Sequence, residues 1–301
     1  MITNFEQIFE QLRSKSKKRL VAAWAVDDHT ISAAYQAVKL GIVEATLVGD
    51  ADMIAKVCEE EKLDASVFQI VDVKEELKAI STAVDMINNK EGDILMKGLC
   101  STDKYMRAIL KKEGGLLPPK AVLSHVAVLE SPFYHKLMII SDMAVIPAPD
   151  LKQKEAITKY VVNTAKALQI EKPKVAFIAA TEQMLPGMQA CVDAAILAKM
   201  VDRGQIPGCV ADGPLALDVA VSKEAVAIKK LKSEVAGDAD CFVFPNIESA
   251  NVFYKVNSQM CSGVKQSAMV AGAKAPCVLS SRADSIETKL NSIALAALTA
   301  K

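Results

Sequence analysis

Short apolar runs alternate along nearly the whole chain with stretches whose apolar positions recur at helical spacing. Residues 5–12 form an amphipathic helical pattern, and residues 20–26 read as a buried parallel strand. Asp27 and Asp28 stand where caps for a helix over 30–40 belong, and Gly41 closes that helix. Residues 44–49 give a second strand and 50–61 a second helix. Strands at 67–71 and 93–97, with a helix over 74–88 between them, continue the alternation. Such regular alternation predicts a parallel sheet with helices on both faces, which places ligands beyond the carboxyl ends of the strands.

The pattern changes at 122–129 and 137–145, two strand-like runs separated by the turn-forming Ser131 and Pro132, which predict a hairpin. Pro147 and Pro149 then oppose a continuous helix and mark a boundary. Beyond it come a helix at 151–168, a strand at 175–179, a helix at 190–201 and a strand at 208–211. A helix at 223–231 and a strand at 241–244 follow. The small-residue run 267–271 reads as helical, residues 277–279 as a short strand, and the remainder as a helix with apolar Ile286, Leu290, Ile293, Ala297 and Leu298. Because the last stretch follows Pro276, it can return to the first domain. The expected organisation is 1–148 plus 277–301 as one discontinuous α/β domain, with 149–276 inserted as a second.

Composition narrows the partners. Lysine and arginine total 36 and so do aspartate and glutamate, so neither nucleic acid nor an anionic membrane is expected as a partner. Seven scattered cysteines without a CxxC pair suit a reducing cytoplasm. Charges interrupt every apolar segment short of a membrane span, and the first residues lack a signal-peptide core. None of the three histidines shares a metal-ligand spacing with another, so no metal is expected. There is neither a G-x-G-x-x-G nor a G-x-x-x-x-G-K-[ST], which argues against a dinucleotide-dependent dehydrogenase and a P-loop enzyme.

Three strand ends carry candidate chemistry. At the first, Lys97 and Gly98 precede a helix start with Thr102, where Gly98 permits close backbone approach and free N–H groups at 101–104 can bind an anion; Arg107 reaches back along that helix. A capped helix with a surface arginine is the plain structural alternative. At the second, after residue 244, Asn251 and Lys255 offer an amide and an ammonium for a phosphate or amide ligand, or serve as ordinary helix residues. At the third, Ser281 and Arg282 stand between a strand and a helix. Asp284 and Glu287 have capping-box spacing, which leaves Asp284 either a helix cap or a base. The sequence Asp212-Gly213-Pro214 reads as a tight turn.

Taken together, these segments resemble the phosphate acetyl/butyryltransferase family, nearer its butyryl branch. The resemblance rests on Met-Lys-Gly-Leu at 96–99, Leu-Ser-His-Val-Ala-Val at 123–128, Asp-Arg-Gly-Gln-Ile at 202–206 and Val-Ala-Asp-Gly-Pro-Leu-Ala-Leu-Asp at 210–218. Asn-Ile-Glu at 246–248, Asn-Val-Phe-Tyr-Lys at 251–255, Leu-Ser-Ser-Arg-Ala-Asp-Ser at 279–285 and Asn-Ser-Ile-Ala-Leu-Ala at 291–296 extend it. It implies a two-domain, three-layer α/β fold of the isocitrate/isopropylmalate-dehydrogenase-like type, with mostly parallel sheets and an active-site cleft between the domains. It implies direct transfer in a ternary complex: acyl-CoA plus phosphate gives acyl phosphate plus coenzyme A, without a tightly bound cofactor. Butyryl-CoA or a similar short chain is the main substrate expected, with acetyl-CoA turnover or a non-catalytic coenzyme A-binding protein as alternatives. A homo-oligomer in the cytoplasm is implied as well. Ser281 and Arg282 then belong at the reacting centre with Asp284 nearby. Arg107, Thr102, Lys97, Asn251 and Lys255 hold phosphate or substrate. Thr288 occupies the position of the acetyl branch's proposed base, and His135 and Lys136 lie in the neighbourhood of a further arginine of that branch.

Overall fold

The computed structural model describes residues 1–281 and 284–301; Arg282 therefore lies outside the described residues. Its strands in chain order are β1 (Lys18–Ala23), β2 (Val43–Gly49), β3 (Gln69–Asp72), β4 (Ile94–Lys97), β5 (Ser124–Glu130) and β6 (Met138–Ser141). They continue with β7 (Lys174–Ile178), β8 (Val210–Leu215), β9 (Cys241–Val243), β10 (Lys265–Ala271) and β11 (Cys277–Val278). By internal packing the chain falls into two units. Unit I comprises Phe5–Leu123 with Gln266–Lys301, and unit II comprises Met1–Asn4 with Ser124–Lys265.

In unit I the strand order is β3-β2-β1-β4-β11-β10, parallel except for the β10–β11 pair. Helices Asp28–Lys39 and Ile286–Thr299 pack against each other on this sheet. The latter buries Ile293, Ala294, Leu295, Ala296 and Ala297 almost completely, the all-round burial expected of a helix inside a three-layer α/β fold. Tyr105, fully buried on helix Thr102–Leu110, donates its hydroxyl toward the carbonyls of Leu95 and Val278, each at 3.3 Å. It thereby ties that helix to both β4 and β11.

In unit II the order is β5-β6-β9-β7-β8, with an antiparallel β5–β6 hairpin and parallel β6–β9, β9–β7 and β7–β8 pairs. The hairpin thus joins the strands of the Ser124–Lys265 unit through β6, whereas the sequence reading grouped it with residues 1–148. Helix Leu151–Ala167 opens with a full capping box, Asp150 and Gln153 each accepting the other's backbone N–H.

Several local expectations are corrected. Residues 267–271 form part of β10, not a helix: Ser267 to Val270 are buried, and a five-residue run without polar relief does not reveal its period. Asp212-Gly213-Pro214 is no turn, since β8 runs straight through it with a register irregularity opposite Ala176 and Ile178. Glycine is needed at 213 because a Cβ there would lie 2.6 Å from Phe177 Cβ. The capping box at Asp284 and Glu287 does not form either. Ser285 caps the last helix, its Oγ accepting from Thr288 N at 3.1 Å.

Candidate active site

The registers of β1, β4 and β11 bring three carboxyl ends side by side, with Ala23 opposite Lys97 and Met96 opposite Val278. The loops leaving those ends build the site. After β1, Trp24 takes a left-handed conformation (φ 53°), turning the chain toward Asp27 and the helix Asp28–Lys39. After β4, Gly98 N and Leu99 N donate to the carbonyls of Ala23 and Trp24, both at 2.9 Å. A Cβ at Gly98 would sit 2.2 Å from Trp24 O, so only glycine lets the β1 and β4 loops approach this closely.

Between these loops and the C-terminal helix lies a pocket of about 140 Å³, walled by Asp27, Asp28, His29, Thr30, Lys97, Gly98, Leu99 and Lys289. Both lysines are 4% exposed, and few ammonium groups are buried this deeply. Lys97 Nζ donates to the carbonyls of Gly98 (3.2 Å) and Cys100 (2.9 Å). Lys289 Nζ donates to Ser280 Oγ and Ser281 O, both at 3.1 Å. Burial pulls the Lys289 pKa below its ordinary value, opposed by the nearby carboxylates of Asp27, Asp284 and Asp28. Asp27 caps its helix through Oδ1, which accepts from Thr30 N at 2.9 Å. Its buried Oδ2 accepts no hydrogen bond among the described residues. The pocket wall therefore carries two buried cations and a carboxylate oxygen with unused hydrogen-bonding capacity, a polarised site suited to an ionic or strongly polar ligand.

Ser281 is exposed at the end of the β11 segment. Its backbone is held on both sides: Ser281 N donates to Asp284 Oδ2 at 2.6 Å, and Asp284 N donates to Ser281 O at 3.2 Å. His29 Nδ1 donates to Asp284 O at 3.2 Å, linking this loop to the β1 side. Relieved of helix capping, Asp284 fixes the serine instead. Thr288, at the position the resemblance compares with a base, takes part in the helix cap with Ser285.

The sequence pattern of the phosphate acetyl/butaryl transferase family matches residues 3–81 and 75–297. The chain belongs to this family. It is 45% identical over 300 residues to the phosphate butyryltransferase of Clostridium acetobutylicum, covering 100% of this chain and 99% of that one. It is 41% identical over 295 residues to the phosphate acetyltransferase of Thermotoga maritima, covering 98% of this chain and 99% of that one. A solved branched-chain phosphotransacylase from Enterococcus faecalis superimposes with a TM-score of 0.82 at 28% identity, over 94% of this chain and 98% of that one.

Within this phosphate acetyl/butaryl transferase chain, unit I brings Lys97, Ser281 and Asp284 to neighbouring strand ends. Thr102 is exposed at the first position of its helix, which Ser101 caps by accepting from Lys104 N. Arg107, 80% exposed, donates Nε to Asp103 Oδ1 at 3.0 Å on the same helix and does not line the pocket. Asn251 and Lys255 belong to unit II, four residues apart on helix Ile247–Gln259; Asn251 Nδ2 donates to Met143 O at 3.0 Å and Lys255 is exposed. Lys136 is turned to structural use, its Nζ 2.8 Å from Asp240 Oδ1 and donating to Asp238 O at 2.7 Å. His135 Nε2 lies 2.7 Å from Asp238 Oδ1. No helix among the described residues is long and apolar enough to cross a membrane, and none of their His, Cys, Asp and Glu side chains cluster to hold a metal ion.

Sequence reasoning missed Lys289 and the wall formed by Asp27 and His29. For Lys289 a signal existed: it lies three residues after Ile286 and four before Ile293, so a lysine interrupts the buried stripe of an apolar helix. Asp27 gave none, because an aspartate before a helix reads as a cap, which it also is.

Proposed function

We propose that the protein is a phosphate acyltransferase acting on butyryl-CoA or a similarly short acyl-CoA. A phosphate oxygen attacks the thioester carbonyl carbon, a C–O bond forms, the C–S bond breaks, and coenzyme A leaves as a thiolate that takes up a proton. The observation that carries this reading is the juxtaposition of three strand ends in register, with Lys97 at the end of β4, Ser281 on the loop after β11 and Lys289 reaching Ser281 from the following helix, in a chain 45% identical to a phosphate butyryltransferase.

In this reading the Ser281 hydroxyl donates to the oxyanion that develops on the carbonyl oxygen, a role in which one donor is worth ~10²–10³ in rate. Arg282 and Arg107 hold the phosphate oxygens. Arg107 can be recruited because an exposed pair such as Arg107–Asp103 holds it by only ~0–1 kcal/mol. Lys97 and Thr102 add positive charge and a hydroxyl at the same helix start. Asp284 orients Ser281 and takes the thiol proton in the reverse direction. Asn251 and Lys255 are assigned to substrate on the resemblance. Holding two substrates in one geometry supplies much of the rate, up to ~7–11 kcal/mol in well-oriented cases. No metal or tightly bound cofactor is needed, acyl-CoA and inorganic phosphate are the partners, and the enzyme works in the cytoplasm as a homo-oligomer.

The second reading, acetyl-CoA as main substrate, is favoured by the 41% identity to a phosphate acetyltransferase. A thiol-release assay with acetyl-, propionyl-, butyryl- and branched acyl-CoA separates the two. The proposal expects phosphate-dependent release with the highest kcat/KM on a four-carbon chain. Greatest efficiency with acetyl-CoA would favour the second reading, and no phosphate-dependent release with any substrate would remove both.

A further inference from the structure

The buried ammonium of Lys289 has a task that helix packing does not explain. On the helix Ile286–Thr299 the flanking Leu290, Ile293 and Ala294 are buried, as are the polar Asn291 and Ser292, and a leucine or methionine at 289 would satisfy packing against the apolar ones. Instead Nζ reaches back toward the helix start and donates to Ser280 Oγ and Ser281 O. The Ser281 peptide groups are thus held from two directions, by the Lys289 ammonium with Asp284 N on the carbonyl and by the Asp284 carboxylate on the preceding N–H. Asp284 is itself tied through its carbonyl to His29.

We infer that Lys289 is a positioning residue for acyl transfer: from the C-terminal helix it holds the Ser280 hydroxyl and the Ser281 carbonyl so that the Ser281 hydroxyl keeps one direction. The inference rests on the proposed role of Ser281. Preorganisation of this kind acts on kcat, because a donor that must be reoriented during the reaction stabilises the transition state less than one already aimed.

Burial makes the clamp sensitive to alkali, against the pull of the carboxylates around it. Asp27, Asp28 and His29 face Lys289 from the β1 side, Lys97 from β4 and Asp284 from its own loop. Helix Phe5–Arg13, which also packs on the C-terminal helix, carries Glu10 and the mutual pair Arg13–Glu6. Burial makes Lys289 lose its proton at lower pH than an ordinary lysine. The ammonium clamp therefore weakens at lower pH than an ordinary lysine's would, as pH rises through that lowered value.

The test measures kcat, KM for acyl-CoA and for phosphate, and the pH profile of kcat for Lys289→Met, Lys289→Arg and Ser281→Ala beside the parent. The inference expects Lys289→Met to lose about 30-fold in kcat with KM values within about twofold. Lys289→Arg, which has the adjoining 140 Å³ of space, should keep kcat within about fivefold and hold it to higher pH than the parent does. Parental kcat in Lys289→Met, with Ser281→Ala inactive, overturns the positioning role and leaves the reading of Ser281 standing. Near-parental turnover in Ser281→Ala overturns both. Should Lys289→Met fail to fold, an alkaline limb in Lys289→Arg identical to the parent's overturns the inference.

Discussion

Two clusters of lysine and aspartate, built at opposite ends of parallel strands, are put to opposite uses. In unit II, at the amino ends of β6, β9 and β7, Lys174 Nζ lies 2.5 Å and Lys136 Nζ 3.0 Å from Asp238, and Lys136 lies 2.8 Å from Asp240. The Lys136–Asp240 contact is an ion pair off the hydrogen-bonding direction, while Asp240 Oδ2 accepts Lys174 N at 2.8 Å. In unit I, at the carboxyl ends of β1, β4 and β11, the lysines donate to backbone carbonyls and a hydroxyl, and among the described residues Asp27 Oδ2 accepts no hydrogen bond. Residue types alone do not distinguish the two. In the first cluster, charge is cancelled where chains enter the sheet, so it fastens strands together. In the second, charge is held in place beside open volume, where chains leave strands to start helices and anion sites arise.

The largest effect expected to sharpen this contrast is at the serine. Ser281→Ala should reduce phosphate-dependent thiol release by ~10² or more in kcat while leaving the melting temperature unchanged, since an exposed hydroxyl contributes little to folding. Asp284→Asn keeps the shape but replaces a charge-assisted bond to Ser281 N with a neutral one, and should cost about tenfold in kcat.

The amino-end cluster should answer in stability. Burial raises the Asp238 pKa, but hydrogen bonds from Lys174, His135 and Lys136 outweigh it and hold the carboxyl well below its usual range. A carboxylate depressed in the folded state stabilises above its unfolded value near ~4 and loses that contribution as pH falls from there toward the depressed value. Asp238→Asn should therefore unfold about 2 kcal/mol more easily at pH 7 in urea, with the difference from the parent shrinking below about pH 4. Its kcat should be parental. The smallest effect is at Arg107: Arg107→Ala should raise KM for phosphate about fivefold without changing KM for acyl-CoA. An unchanged phosphate KM removes Arg107 from the site.

The alternation of β1 to β4 with their helices was legible because each strand is an apolar run bounded by a cap or glycine such as Asp27, Gly41 or Asp50. The location of Ser281 and Lys97 at strand ends was legible for the same reason. What the chain concealed depends on distant partners. β11 has two residues, and its place beside β4 follows from pairing with a strand some 180 positions earlier. β10 hides its period because its core residues are nearly all buried. Asp284 carries a capping-box spacing, yet Ser285 one position later makes the cap and frees the aspartate for Ser281. The direction of Arg107 was set by Asp103 four residues before it, a pairing visible in the sequence but equal in weight to a reach toward the helix start.

One matched pair of substitutions tests the contrast most directly: kcat for thiol release from butyryl-CoA in Lys97→Met and in Lys136→Met, each compared with the parent at a temperature where both are folded. Both remove an ammonium from a strand end, buried in Lys97 and half-buried in Lys136. The carboxyl-end site predicts a loss of about 30-fold or more for Lys97→Met and a change within about twofold for Lys136→Met, whose deficit should appear only as a lower melting temperature. Parental kcat in Lys97→Met, or an equal loss in Lys136→Met, would contradict the assignment of the active site to the ends of β1, β4 and β11.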